Sequence, residues 1–305
     1  MTTKPLQSLL PGVLRTRPDV FSSADRLLSL CRVYTALYDL VVTNGLDGEF
    51  GRREEYAERA DELLHVFLLK ITSTDEPVSR CALISAMYAL VCGTTLAAGS
   101  RHMDVCREQT IRLLYDYAGA DETHGLLQTG ICRCISDMLY PEIPEEDACF
   151  RFFRTSLREW AEALSAEGCW AGLPFDVALE RIGVMNRNSY MFLDRTYDSL
   201  AGRAFDYYRR RLAVPSDPGN FDERYLRTLG RLYDAAVEGN AYAPDPALAG
   251  RIARFMYDYA RMLHGRDDEW LYCASYAVRS LADEITAEVQ AGGLQHIARA
   301  PEQVA

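Results

Sequence analysis

Two kinds of helical segment alternate along this chain, and their alternation restricts the folds that the chain can adopt. One kind has apolar residues at steps of three and four, which predicts a helix with one buried face and one wet face. The segments 150–164 and 248–263 are of this kind. The other kind is apolar on nearly every side and rich in small residues, as in 81–92. Because such a helix must be covered all round, the alternation predicts helical hairpins with an outer and an inner layer.

The sequence predicts an all-α fold of about eleven helices. Strand signals are weak, because no sustained alternation of apolar and polar residues is bounded by hairpin turns. The segments 77–98, 123–140 and 268–290 are predicted to be inner helices. The predicted helices span 23–43, 53–71, 77–98, 102–119, 123–140, 146–166, 174–186, 194–213, 221–238, 246–264 and 268–290.

We predict a single domain for most of the chain. The irregular segment 214–220 is the best candidate for a boundary, but the helical pattern resumes after it without a change in composition. We therefore predict an N-terminal extension over 1–22, one helical-hairpin domain over 23–290 and a flexible tail over 291–305.

Composition favours a reducing, cytoplasmic setting. The net charge of −11 argues against binding to phosphate backbones, which needs concentrated Lys and Arg. The nine cysteines lie mostly inside apolar helical stretches, a pattern typical of reduced and buried thiols. The N-terminus has no signal-peptide pattern, and no window resembles the roughly 18 apolar residues that span a bilayer. We expect neither nucleic acid nor membrane among the partners.

The residues that commonly hold metals are poorly spaced for that purpose. Cys132 and Cys134 are two positions apart on a helix, so their thiols point to different faces. No two of the five histidines are spaced four residues apart. The acids at 267–269 are explained by the positive end of the helix that they open. We therefore predict no metal and no cofactor.

The connection 168–174 and the segment after it combine an aromatic residue with several polar ones. Trp170 could stack on a sugar or a peptide, while Asn186, Arg187 and Asn188 could form hydrogen bonds with it, next to Tyr190. An alternative interpretation assigns these residues to the fold. Trp170 would then close the end of the bundle, and Asn188 would occupy a left-handed turn.

His124 opens a predicted inner helix within 123–130. This segment, together with 172–174 and 178–179, resembles the openings of inner helices in the α/α-toroid families, especially the lanthionine cyclases. The connection around Trp170 is similar to aromatic loops of unsaturated-uronide hydrolases and sugar epimerases. The resemblance implies an α/α toroid rather than an open α-solenoid. The zinc site of the cyclases includes a Cys-His pair, which this sequence lacks.

Two classes of function follow as expectations. The first is a helical-hairpin protein that binds a peptide, a protein partner or a small polar ligand on its concave or cavity side, without metal. The second is an α/α-toroid enzyme that acts on a sugar, or modifies a peptide, in a central pocket. No nucleophile elbow of the Ser-His-Asp type is present. The candidate ligand-binding residues are His124, Trp170, Asn186, Arg187, Asn188, Tyr190 and Asp268.

Overall fold

The structure is a computed structural model that describes residues 3–94, 99–118, 124–138, 147–188, 195–216, 221–237, 244–263 and 267–291. Within these ranges it contains twelve α-helices and no strand, which confirms the all-α prediction and adds one helix to the eleven predicted. The helices are α1 Thr3–Arg15, α2 Ala24–Thr43, α3 Arg53–Ser73, α4 Pro77–Thr94, α5 Gly99–Ala118, α6 His124–Met138, α7 Ala148–Glu167, α8 Phe175–Asn188, α9 Arg195–Arg209, α10 Glu223–Val237, α11 Pro246–Met262 and α12 Asp268–Gln290.

The additional helix, α1, lies in the predicted N-terminal extension. Its buried residues follow one another at steps of three, one and three, which places them on one face: Leu6, Leu9, Leu10 and Val13. Pro11 lies inside this helix. Because an internal proline removes one backbone hydrogen bond and crowds the preceding turn, local propensity argues against a helix here. Burial of the apolar face against α12 outweighs that penalty.

Gly12 explains how closely α1 approaches α12. A Cβ atom at this position would lie 2.6 Å from Cη2 of Trp270, which is 5% exposed. Any larger residue would therefore push the indole ring or the helix away. Glycine is needed at this position because it has no side chain, and not because of an unusual backbone conformation.

The described chain divides into two compact units that interleave in sequence. Unit 1 comprises 1–73, 86–102 and 256–305, and unit 2 comprises 74–85 and 103–255. Three of the boundaries fall inside helices, namely α4, α5 and α11. Each unit is assembled from separate stretches of the chain, so the two units are not two consecutive domains. The single domain predicted for 23–290 stays a prediction.

In unit 1, α12 packs against both α1 and α2, and α2 also packs against α3. All six residues from Cys273 to Val278 are buried. A helix with one wet face cannot bury six consecutive residues, so α12 has the character predicted for an inner helix. Polar contacts also join α2 to α12. Arg32 donates to Ser275 and Tyr276, and Asn44 donates to Thr286.

In unit 2, the even-numbered helices α6, α8 and α10 pack in a row, with α8 in the middle. The odd-numbered helices α7 and α9 contact each other and pack on α6 and α8 respectively. The one-sided stripe predicted for α7 is found, since the buried residues there include Phe153, Leu157, Trp160 and Leu164. Of these helices, α6 is the one that the sequence predicts to be an inner helix.

Side-chain caps set several helix starts. The oxygen atoms of Ser23, Asp147 and Asp267 accept hydrogen bonds from the first turns of α2, α7 and α12. Glu76 does the same for α4, whose first residue is Pro77. For α12, the acids at 267–269 therefore act at the start of the helix, as the sequence predicts.

All nine cysteines are free thiols, and seven of them are buried. Cys92 departs from the prediction because it is exposed on α4. The same helix is the one described helix that is long and apolar enough, by length and composition, to cross a membrane, although 56% of it is buried inside the protein. A core helix meets the same criterion, so this observation is weak evidence for a membrane span.

Candidate functional site

Six charged side chains from α6, α8 and α10 meet within unit 2. We call them the charge cluster, and it consists of Arg133, Asp137, Glu180, Arg187, Arg231 and Asp234. The helical period explains why each helix contributes two of them. Residues three, four or seven apart lie on the same face of a helix, and the three pairs are separated by four, seven and three residues respectively.

The ion pairs of the cluster link all three helices. Nη1 of Arg133 lies 3.0 Å from Oε1 of Glu180, which joins α6 to α8. Nη1 of Arg187 lies 3.2 Å from Oδ1 of Asp137, which joins the same two helices again. Nη2 of Arg231 lies 3.8 Å from Oε2 of Glu180 and joins α10 to α8. Glu180 is therefore the central carboxylate of the cluster.

The two signs of charge differ in their exposure. The three arginine side chains are 26–29% exposed, whereas the three acidic side chains are 14–19% exposed. The acids are thus the more buried half, and arginine side chains make up the larger part of the surface that the cluster exposes to solvent. This arrangement contrasts with the net charge of −11 for the whole chain.

The arginines keep the central carboxylate ionised. Burial alone would raise the pKa of Glu180, but Arg231 and Arg133 outweigh it and hold this pKa below its ordinary value. Burial likewise opposes the charge of Arg133, but Glu180 and Asp137 outweigh it and raise the pKa of this guanidinium. At neutral pH Glu180 and Arg133 are therefore both charged.

The two asparagines predicted beside Arg187 are buried. Asn186 is 0% exposed and Asn188 is 2% exposed. The amide of Asn188 donates to Oγ of Ser136 at 2.6 Å and to the carbonyl oxygen of Val184 at 2.7 Å. Asn188 thus fastens the end of α8 to the end of α6, and it is the last residue of α8.

Trp170 belongs to a second cluster, on a different face of α8, which we call the Arg181 cluster. Its members are Gln128, Thr129, Trp160, Trp170, Arg181 and Tyr208. Trp170 is 5% exposed. Its indole nitrogen donates to the carbonyl oxygen of Trp160 at 3.1 Å, and its ring stacks on Tyr208. The alternative in which Trp170 closes one end of the bundle agrees with this burial.

Arg181 lies at the centre of this second cluster. Its Nε donates to Oγ1 of Thr129 at 2.9 Å, and its Nη2 donates to Oε1 of Gln128 and to the carbonyl oxygen of Gly125, at 3.2 Å each. The guanidinium carbon lies 4.5 Å from the ring centroid of Trp160 and 5.7 Å from that of Trp170. These distances are typical of cation–π contacts.

The sequence analysis assigns Trp170 and Arg187 to one site. Trp170 precedes α8, and Arg187 lies one residue from its end. The contacts that the structure describes for the two side chains involve different residues, since Trp170 packs with Trp160, Tyr208 and Arg181 whereas Arg187 pairs with Asp137. A pocket shared by Trp170 and Arg187 stays a prediction.

The other predicted site residues are distributed more widely. His124 begins α6 one residue before Gly125, which places its backbone near the Arg181 cluster, and its side chain is outside the description. Tyr190 lies outside the described residues. Asp268 belongs to unit 1, where it accepts from Ser23 Oγ at 2.9 Å and from Arg26 Nη1 at 2.6 Å. Asp268 therefore ties the start of α12 to the start of α2.

Of the six residues of the charge cluster, only Arg187 is predicted from the sequence as a site residue. One signal was available, because charged pairs at helical spacing interrupt predicted inner helices, as Arg133 and Asp137 do in α6. The identity of their partners on other helices could not be obtained in this way. Arg181 is not predicted as a site residue for a different reason, since an arginine in an amphipathic segment is ordinarily solvent-exposed.

Within the described ranges, no group of three or more His, Cys, Asp or Glu side chains is arranged to hold a metal ion. Searches of protein-family models, curated proteins and solved structures find no match to this chain. Arguments about function therefore rest on the two clusters themselves.

Proposed function

We propose that this chain is a helical-hairpin protein that binds an acidic segment of a peptide or partner protein at the charge cluster. The observation that carries the proposal is the layering of charge. Arg133, Arg187 and Arg231 are each more exposed than the acids with which they pair. A ligand carboxylate approaching this surface would meet arginine side chains before the acids, and guanidinium groups suit carboxylates in geometry and charge.

The cluster is hard to explain by stability alone. Withdrawing six charges from water has a large desolvation penalty, and apolar residues of similar volume would stabilise three packed helices equally well or better. Charged groups of this kind, on one face of three neighbouring helices, are typical of binding sites. The acids would hold the arginines in fixed orientations before the ligand arrives, which lowers the entropy lost on binding.

Binding is favoured over general acid catalysis at this site. A general acid needs a proton at the working pH, whereas the lowered pKa of Glu180 keeps its carboxylate ionised. The alternative function, an α/α-toroid enzyme acting on a sugar or a peptide, could not use Glu180 as its general acid. Under this proposal the ligand is held by charge and released unchanged, without metal or cofactor.

We also propose that the hairpins form an α/α toroid rather than an open α-solenoid. In a solenoid each repeat contacts only its neighbours, but α2, near the start of the chain, packs on α12 near its end. This contact favours closure. Small-angle scattering tests it, since a compact fold of this length has a radius of gyration of about 19 Å, and a clearly larger value contradicts closure.

We propose a reducing, cytoplasmic location, with neither nucleic acid nor membrane as a partner. Nine free thiols, seven of them buried, support the reducing compartment. The acidic net charge supports the absence of nucleic acid. Fractionation of cells that express the full chain tests both expectations.

The binding proposal is tested with labelled hexapeptides that carry Asp or Glu at one position, compared with the same peptides carrying Asn or Gln. Fluorescence anisotropy is measured for the wild type, for Arg187→Gln and for Arg112→Gln. Arg112 is the control because it is 60% exposed and pairs only locally, with Glu108. We expect the acidic peptides to bind more tightly than their neutral counterparts, and Arg187→Gln to remove this preference by weakening binding about 10-fold or more.

Two results would contradict the proposal. In the first, acidic and neutral peptides bind equally to the wild type. In the second, Arg187→Gln binds acidic peptides as the wild type does while its unfolding midpoint shows that it is folded. Because Arg187 is 29% exposed and lies near the end of α8, this variant is a milder change than removing the central Glu180.

A further inference from the structure

We infer that Arg181 forms a second binding site, which takes the carboxylate of a small molecule and is separate from the charge cluster. The two sites share α8 but use different faces of it. Glu180 and Arg187, seven residues apart, lie on one face, whereas Arg181 is turned about 100° from Glu180 around the helix axis. The inference therefore does not depend on the proposed function.

Arg181 is a buried cation without a carboxylate partner. Only 6% of the residue is exposed, and no acidic oxygen lies within 4 Å of its guanidinium in the described part of the chain. Its oxygen partners are a hydroxyl, an amide and a backbone carbonyl, all neutral groups. The carboxylate of Glu159 reaches Arg181 only through Gln128, which donates to Oε2 of Glu159 at 2.9 Å. Because burying a charge without a direct counter-charge is unfavourable, the site is complementary to an anion.

The donors of Arg181 show where the anion would bind. A guanidinium has five N–H groups, and three of them are used by Thr129, Gln128 and Gly125. The remaining two both belong to Nη1, which makes no hydrogen bond to any residue that the structure describes. Burial lowers the pKa of Arg181 to about 10, so the group still carries its charge at neutral pH.

The geometry of Nη1 restricts the ligand. Its two N–H bonds diverge, so they cannot form the parallel fork that binds both oxygens of one carboxylate. Each N–H can donate to a single oxygen. A charge-assisted hydrogen bond of this kind is roughly twice as strong as one between neutral groups. The rings of Trp160 and Trp170 lie beside the guanidinium and are buried, so their fluorescence reports on an anion that binds at Nη1.

A second buried arginine shows what is unusual about Arg181. Arg59 in α3 is also 6% exposed, but its Nη2 lies 3.2 Å from Oε1 of Glu55. This pair supplies the counter-charge that Arg181 lacks. Arg59 thus serves as a matched control, because both substitutions remove a buried guanidinium and only one of them is expected to remove an anion site.

The test uses the fluorescence of Trp160 and Trp170, measured in a Trp270→Phe background so that the third tryptophan of the chain is silent. Benzoate is titrated against the isosteric neutral benzamide at constant ionic strength. We expect saturable quenching or enhancement by benzoate and about 10-fold or more weaker binding of benzamide. Arg181→Gln should lose the preference for benzoate, whereas Arg59→Gln and Arg187→Gln should keep it.

The titration of the wild-type protein tests for the anion site even if Arg181→Gln does not fold. Equal responses to benzoate and benzamide, or no saturable response to either, would overturn the inference. A benzoate response abolished by Arg187→Gln and retained by Arg181→Gln would also overturn it, because it would locate the anion at the charge cluster. Loss in Arg181→Gln alone supports the inference whatever the hexapeptide assay reports.

Discussion

Neutralising Glu180 should destabilise the protein far more than neutralising an exposed glutamate. Glu180 is 19% exposed and lies 3.0 Å from Arg133 and 3.8 Å from Arg231. At an effective dielectric constant of about 20, the attraction at the shorter distance is about 5 kcal/mol. Desolvation of the carboxylate offsets part of it. Because Glu180→Gln also leaves two arginines short of a partner, we expect a loss of about 2–4 kcal/mol.

The matched control is Glu108→Gln in α5. Glu108 pairs with Arg112 at 2.5 Å, closer than any ion pair of Glu180, but both side chains are 60% exposed. Water screens such a pair, so we expect a loss of no more than about 0.5 kcal/mol. Free energies of unfolding are measured by urea titration with circular dichroism. Equal losses for the two variants would refute the argument that burial, and not distance, determines the contribution of these pairs.

The pH dependence gives a second measurement of the same quantity. The folded-state pKa of Glu180 is lower than its ordinary value of 4.5. Its contribution is therefore complete above pH values near 4.5 and is lost as the pH falls through the folded-state pKa. We expect the wild type to lose stability in this acidic range more steeply than Glu180→Gln. Parallel curves for the two proteins would contradict the lowered pKa.

Three further predictions concern packing and metal. Gly12→Ala should destabilise the folded protein by about 1–3 kcal/mol, because the added Cβ would lie 2.6 Å from Trp270. The control is Gly250→Ala, where the added Cβ would have no atom within 4 Å. Urea titrations should show that this control stabilises α11 by about 0.5–1 kcal/mol. Trp170→Ala should lower the free energy of unfolding by about 3–5 kcal/mol, since Trp170 is 5% exposed. The control Tyr115→Ala, at a residue that is 77% exposed, should change it by under about 0.5 kcal/mol. A Trp170→Ala protein as stable as the wild type would argue against the interpretation that Trp170 closes the end of the bundle. Treatment with EDTA should leave the melting temperature unchanged, and stoichiometric zinc in protein purified without added metal would contradict the prediction that none is bound.

The positions of the helices could be predicted from the sequence to a large extent. The predicted segment 268–290 coincides with α12, and 53–71 differs from α3 by two residues. Both are marked by local signals, namely the apolar period and the residues that cap a helix. The exception is α1, where Pro11 gives the opposite local signal and the burial of Leu6 and Val13 decides the outcome.

The candidate sites were less accessible to sequence reasoning. Arg187 was identified from its polar surroundings, but its partner Asp137 lies 50 positions earlier and reaches it only because α6 packs on α8. Trp170 was identified as an unusual loop residue, and the sequence could not decide whether its ring faces solvent or Tyr208. Arg181 was overlooked because its burial depends on the rings of two tryptophans from other segments.

The sequence by itself determined that this chain is helical and that two kinds of helix alternate, since both properties depend on residues within one or two turns of each other. Tertiary structure alone decided which charges meet. Glu180 and Arg181 are neighbours in the chain, yet one joins an ion cluster and the other is buried among tryptophans. Adjacent residues on a helix point about 100° apart, so their surroundings depend on how the other helices pack against those two faces.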